Sequence, residues 1–146
     1  MAVTIETFIA APRERVFALF TDLEGAASRL SGVRSIEILT EGPIGPGTRW
    51  RETRLMFGQP SIQEMQVVSA DPPNGFVVAA QNISASFETR FSFHDHGGGT
   101  KVVCSFNAEP RNPMMKIFLP FTGFIEGAIQ GVLQQDMADI KRLAER

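Results

Sequence analysis

The stretch Phe87-Glu88-Thr89-Arg90-Phe91-Ser92-Phe93-His94-Asp95-His96-Gly97-Gly98-Gly99-Thr100-Lys101-Val102-Val103-Cys104-Ser105-Phe106 alternates apolar and polar residues on both sides of three glycines. Side chains of a strand point alternately to opposite faces, so Phe87, Thr89, Phe91 and Phe93 share one face. Pairing Asp95 with Thr100 sets Phe93 opposite Val102, Phe91 opposite Cys104 and Thr89 opposite Phe106. Every one of these partners falls on the apolar face. Turn and pattern therefore specify the same register, which predicts an antiparallel hairpin of Ala85–Asp95 and Thr100–Ala108. The same residues suit a packed core or the wall of a pocket.

Working outward, further strands are predicted at Thr48–Met56, Ser61–Ala70 and Phe76–Gln81. Their breaks are Gly58-Gln59-Pro60, Asp71-Pro72-Pro73-Asn74-Gly75 and Asn82-Ile83-Ser84, all rich in turn formers. Upstream, Val3–Ile9 alternates as a strand. Pro12 then opens a helix with the stripe Val16, Phe17 and Phe20, and a short second helix runs to about Leu30. Val33–Leu39 reads as another strand. After Glu109-Pro110-Arg111-Asn112-Pro113 the period turns helical from Met114 to Arg146, with Pro120 kinking or delaying the first turns.

Phe121, Ile125, Ile129, Val132, Leu133, Ile140 and Leu143 share one face of this last helix, and Asp136 falls inside it. An antiparallel meander has one face that needs cover. Only the last helix is long enough to supply it, spanning ~40 Å at ~1.5 Å per residue. The expectation is one α+β domain over residues 1–146, a curved seven-stranded sheet wrapped around a long helix. The space left between sheet and helix is where a ligand would sit.

Composition narrows the function classes. The 146 residues include 14 basic and 16 acidic side chains, a formal charge of −2, which gives no electrostatic footprint for nucleic acid. Cys104 is the lone cysteine, so no intramolecular disulfide can form, and no Cys/His spacing suggests zinc. No apolar run reaches the ~18–20 residues of a membrane span. Met1-Ala2-Val3-Thr4 lacks the basic and apolar regions of a signal peptide, so the expected address is the cytoplasm. Twelve Phe and one Trp stand beside no Tyr, so no phenol can act as acid, base or hydrogen-bond tip. No nucleotide fingerprint, phosphate loop or nucleophile elbow is present, and no cofactor is called for.

The candidate ligand-binding residues follow from facing. A five-residue turn at Asp71–Gly75 sets Ala70 opposite Phe76 and Val68 opposite Val78, turning Ile62, Glu64 and Gln66 inward. A three-residue turn, Phe57-Gly58-Gln59, would then turn Trp50, Glu52, Arg54 and Met56 inward, whereas a two-residue turn would present Arg51, Thr53 and Leu55. The first choice buries the only Trp and places Glu52 opposite Glu64, with Arg54 diagonal to both. Facing outward, the same charges would form a solvated ladder. The predicted ligand-binding set is Trp50, Glu52, Arg54, Glu64, Gln66, Phe87, Thr89, Phe91, Cys104, Phe106, Ile125, Ile129, Leu133 and Asp136. Gly123, Gly127 and Gly131 recur every four residues on the opposite helix face. Each costs a helix interior about 1 kcal/mol relative to Ala, and a homodimer contact or a mobile helix start would account for them.

The order of elements, the opening Ala11-Pro12-Arg13-Glu14-Arg15-Val16-Phe17, the segment Gly45-Pro46-Gly47-Thr48-Arg49-Trp50 and the Asp71-Pro72-Pro73 turn resemble the START/SRPBCC helix-grip superfamily. The resemblance covers essentially the whole chain and points to the polyketide cyclase/dehydrase and lipid-transport branch. It implies the helix-grip fold, with two short helices after the first strand, and a cavity for a hydrophobic ligand such as a lipid, quinone or polyketide-like ring. Such folds host binders, cyclases and chaperone-activator modules alike. Aromatic cyclases of the superfamily have inward Trp, Tyr and Arg on the mid-sheet strands, and this chain has no Tyr. Binding is therefore the leading expectation, a cyclase or dehydrase the alternative, and an interaction module using Met114–Phe121 the third.

Overall fold

The glycine-closed hairpin forms in the expected register. In the computed structural model Phe93 pairs with Val102, Phe91 with Cys104 and Thr89 with Phe106. Gly97 and Gly98 close the turn at φ 55° and 85°, a left-handed region that favours glycine. The model describes residues 2–56, 58–81, 85–111 and 122–146, without the side chains of 122–125. The expectations for Met114–Phe121, Ile125 and Gly123 thus lie outside the described residues.

The elements run β1 (Ala2–Ile9), α1 (Arg13–Phe20), α2 (Leu23–Arg29), β2 (Val33–Ile38), β3 (Arg49–Met56), β4 (Gln59–Asp71), β5 (Gly75–Gln81), β6 (Ala85–His96), β7 (Gly99–Pro110) and α3 (Thr122–Ala144). The strands form one antiparallel sheet in the order β1-β7-β6-β5-β4-β3-β2. Its concave face is covered by α3, which packs on β1 and α1. Arg15 of α1 holds the end of that helix, donating from Nε to the Ala144 carbonyl at 3.0 Å and from Nη2 to Leu143 at 3.1 Å. These are carbonyls a helix leaves without an internal partner, and a cation there also suits the helix dipole. No helix among the described residues is long and apolar enough to cross a membrane.

The core gathers where β1, β6 and β7 meet α1 and the end of α3. Ile9, Val16, Phe93, Val102 and Cys104 are fully enclosed there, with Met137, Ile140 and Ala144 from the helix. Met137 extends the apolar face of α3 beyond the predicted stripe. The Thr100 hydroxyl donates to the Ala11 carbonyl at 2.7 Å, so this buried polar group is satisfied.

The facing of β4 corrects the sequence expectation. Ala70 does pair with Phe76, but Val67, not Val68, pairs with Val78, because the register shifts between Val67 and Ser69. One extra residue in a strand turns every preceding side chain to the other face. Val67 is therefore buried, while Val68, Ile62 and Glu64 stand on the convex side. Met56 pairs with Gln59, so the β3–β4 turn is one residue shorter than the preferred alternative. Those two departures cancel for β3. Trp50, Glu52 and Arg54 still face inward, opposite Met65, Gln63 and Ser61.

Candidate functional site

A cavity of about 260 Å³ lies between the sheet, α3 and the α1–α2 segment. Alternation along each strand decides its wall. Phe87, Thr89 and Phe91 come from β6, Phe106 from β7, and Phe76, Val78 and Ala80 from β5. Phe76 and Phe91 stack at 4.8 Å between ring centres, and Phe20 of α1 adds a tilted ring 5.4 Å from Phe91. The helix contributes Ile129, Val132 and Leu133, while Leu23, Ala26 and Leu30 of the α2 segment close the opposite side. Trp50 lines the same space, and its buried indole Nε1 has no hydrogen-bond partner among the described residues.

The charged part of the wall joins two elements. Arg54 donates from Nη1 and Nη2 to the two carboxylate oxygens of Asp136, at 3.1 and 2.6 Å. From Nε it donates to Oε2 of Glu52 at 2.6 Å. Side-chain exposures of 15% for Arg54, 13% for Glu52 and 18% for Asp136 show that all three are largely withdrawn from water. Glu52 and Arg54 meet because they are two apart on one strand. Asp136 reaches them from α3, on the other side of the cavity that both elements line.

Burial opposes charge on both partners, yet the outcomes differ. For Arg54 burial lowers the pKa, but hydrogen bonds and charge from Asp136 and Glu52 outweigh it and raise the value further. For Asp136 burial is the largest influence and raises the pKa above the ordinary carboxylate range. Arg54 counters it, but that single cation is shared, and Glu52 and Asp139 add repulsion. Cys104 is pushed up to about 12, by burial first and then by Asp136.

A second carboxylate, fully buried Asp139, fixes the segment beside this cluster. It accepts from the Ser31 amide and hydroxyl, both at 2.9 Å, from Gln135 at 3.0 Å and from Arg142 at 2.8 Å. Burial works to raise its pKa, but these donors hold it below the ordinary value. Gly32 follows Ser31, and a Cβ there would lie 3.0 Å from Arg54 Nη1. The glycine lets the chain pass against the guanidinium.

Of the predicted residues, the structure brings Trp50, Glu52, Arg54, Phe87, Thr89, Phe91, Phe106, Ile129, Leu133 and Asp136 to one cavity. It does not bring Glu64 or Gln66 there. Glu64 faces solvent and pairs with Arg49 at 3.3 Å, and Gln66 is exposed beside it, both because of the β4 bulge. Their places on the wall belong to Ser61, Gln63 and Met65. Cys104 is enclosed in the core and does not line the cavity. Sequence reasoning missed the α2 contribution, whose helix has no fully buried residue and so no strong apolar stripe to read. Among the described residues no group of three or more His, Cys, Asp or Glu could hold a metal ion.

The sequence matches the family model "Polyketide cyclase / dehydrase and lipid transport" over residues 1–145. No curated protein matches the chain. Among solved structures, TTHA0849 from Thermus thermophilus is 24% identical with a TM-score of 0.81, covering 97% of this chain and 95% of that one. The Zhui aromatase/cyclase from Streptomyces sp. R1128 is 16% identical with a TM-score of 0.82, covering 100% and 94%. Ginseng major latex-like protein 151 from Panax ginseng is 12% identical with a TM-score of 0.77, covering 100% and 98%. At such identities these neighbours speak for the fold, and the full-length family match speaks for descent. The chain belongs to the polyketide cyclase/dehydrase and lipid-transport family of the START/SRPBCC helix-grip superfamily.

Proposed function

We propose that this protein binds a small hydrophobic molecule, such as a lipid, quinone or polyketide-like ring, in the cavity between sheet and α3. The observation that carries the reading is a wall built mainly of Phe, Leu, Ile and Met side chains with one buried charged cluster, Glu52–Arg54–Asp136. Apolar wall supplies affinity through removal of surface from water, and a few placed polar groups fix orientation. Trp50, Glu52, Gln63, Phe87, Thr89, Phe91, Phe106 and Leu133 are the proposed ligand contacts.

Trp50 also supplies the test, because the only Trp lines the cavity and no Tyr adds background emission. Native mass spectrometry of the freshly purified protein should show a non-covalent adduct that is lost on denaturation. The extracted adduct, added back, should change Trp50 emission saturably at one per chain. No adduct, together with no saturable response to lipids, quinones or polycyclic phenols, overturns the reading.

A second reading, cyclase or dehydrase activity, is favoured by one observation. Asp136 is a cavity carboxyl held above its ordinary range, the kind of group that carries protons in catalysis. Under that reading the adduct would be recovered with a changed mass or ring count after incubation. Recovery unchanged leaves binding as the function.

A further inference from the structure

An arginine in an apolar cavity would ordinarily suggest an anchor for an anionic head, a carboxylate or a phosphate. Here three of the five N–H groups are already engaged. Asp136 takes one N–H from each of Nη1 and Nη2, and Glu52 takes the only N–H of Nε. Gly32 lies against Nη1, so that side of the guanidinium is covered as well. One cation among two carboxylates leaves the cluster with a net negative charge. An incoming anion would meet repulsion at short range in a poorly hydrated space, where charge interactions are least screened.

What the cluster offers is an acceptor. Glu52 uses Oε2 for Arg54, and no donor reaches its Oε1 among the described residues. Glu52 lines the cavity, across the β3–β4 pairing from Gln63, which lines it too. That oxygen is an open acceptor on the cavity wall, and a ligand that donates to it gains a hydrogen bond to a charged group. A cationic head would satisfy the charge but would bring its own desolvation penalty into an apolar cavity. A neutral hydroxyl brings a donor without that penalty.

We infer that the cavity selects a neutral apolar ligand bearing a hydroxyl group, an alcohol or phenol that donates to Glu52 Oε1, and rejects carboxylate- or phosphate-headed molecules. This rests on the binding function proposed above. Arg54 then acts as a positioning residue, holding Glu52 and Asp136 in place without touching the ligand's head.

Size-matched naphthalenes test this by isothermal titration calorimetry at pH 7. 2-Naphthol carries the donor, 2-methoxynaphthalene removes it, 2-naphthoate is the anion and 2-(aminomethyl)naphthalene the cation. The expected order places 2-naphthol about tenfold or more tighter than 2-methoxynaphthalene, the scale of one hydrogen bond to a charged acceptor. The cation should be weaker than 2-naphthol, and 2-naphthoate weakest. Glu52→Gln removes the net negative charge, so 2-naphthoate should gain on 2-naphthol by about tenfold. Its melting temperature, compared with that of the unsubstituted protein, shows that the variant is folded.

Equal binding of 2-naphthol and 2-methoxynaphthalene, or tightest binding by the anion or the cation, overturns the ligand class while leaving the binding function intact. An unchanged 2-naphthoate to 2-naphthol ratio in folded Glu52→Gln overturns the role of Glu52. Binding of none of the four overturns the ligand class, and the binding function itself falls only if the purified protein also carries no adduct and responds to no lipid, quinone or polycyclic phenol.

Discussion

Arg54 is a residue whose neighbours give it two tasks, since one guanidinium serves a carboxylate on its own strand and another on the covering helix. Removing it tests both. Arg54→Met keeps the length of the side chain but leaves Glu52 and Asp136 facing each other without a cation. Uncompensated buried charge typically costs about 3–5 kcal/mol, so a large loss of stability is expected at neutral pH. Asp136 already sits above the ordinary carboxylate range because of burial, and loss of Arg54 should push it higher. A carboxyl whose folded pKa exceeds its unfolded value holds its proton longer in the folded state. The contribution of Asp136 to the stability of Arg54→Met should therefore be fully present below about pH 4, the unfolded value, and be lost as pH rises through the raised folded value. Urea denaturation between pH 4 and 8 reads this directly. A flat profile with a small, salt-screened change would mean that the cluster is solvated.

At the scale of elements, legibility follows the turns. The β6–β7 hairpin is readable because its glycine turn fixes one pairing and every apolar residue agrees with it. Strand β4 is not, because Ile62, Met65, Val67 and Val68 place apolar side chains on both faces and no glycine marks the bulge. A one-residue shift in such a strand leaves an equally good pattern, so reading by alternation puts Glu64 and Gln66 in the cavity in place of Gln63 and Met65. Asp136 is legible from its position within the helix stripe, but its bond to Arg54 needs the strand and helix brought together. Glycines on the elements divide in the same way. A Cβ at Gly127 would meet nothing within 4 Å, whereas at Gly75 it would lie 2.4 Å from the Phe91 carbonyl oxygen. Gly127→Ala should raise stability by up to about 1 kcal/mol, and Gly75→Ala should lower it because β5 and β6 must separate. Chemical denaturation distinguishes them. A Gly127→Ala that lowers stability in a concentration-dependent way would show that a second copy packs on this face, the homodimer that the glycine spacing suggests.

The whole molecule divides into a closed end and an open one, and both come from the same alternation on neighbouring strands. At the closed end Phe93 is 1% exposed, wedged among Phe17, Phe20 and Phe76 and enclosed with Ile9 and Val102. Two residues along β6, Phe91 is only half-buried, with the cavity on one side and Phe20 and Phe76 on the other. A ring in closed packing loses contacts on all sides when truncated and leaves a void that the surroundings cannot fill. A ring that already borders empty space loses fewer, because part of its surface has no neighbour to lose. Phe93→Ala should cost about 3–5 kcal/mol, and Phe91→Ala distinctly less in the ligand-free protein. With a saturating ligand the difference should narrow, since a ligand touching Phe91 restores neighbours on the cavity side and adds its binding energy to the folded state alone. Denaturation of both variants with and without the extracted adduct measures the two gaps. Equal losses in the empty protein would mean that Phe91 belongs to the core, and an unchanged gap on ligand addition would place the ligand away from the β6 wall.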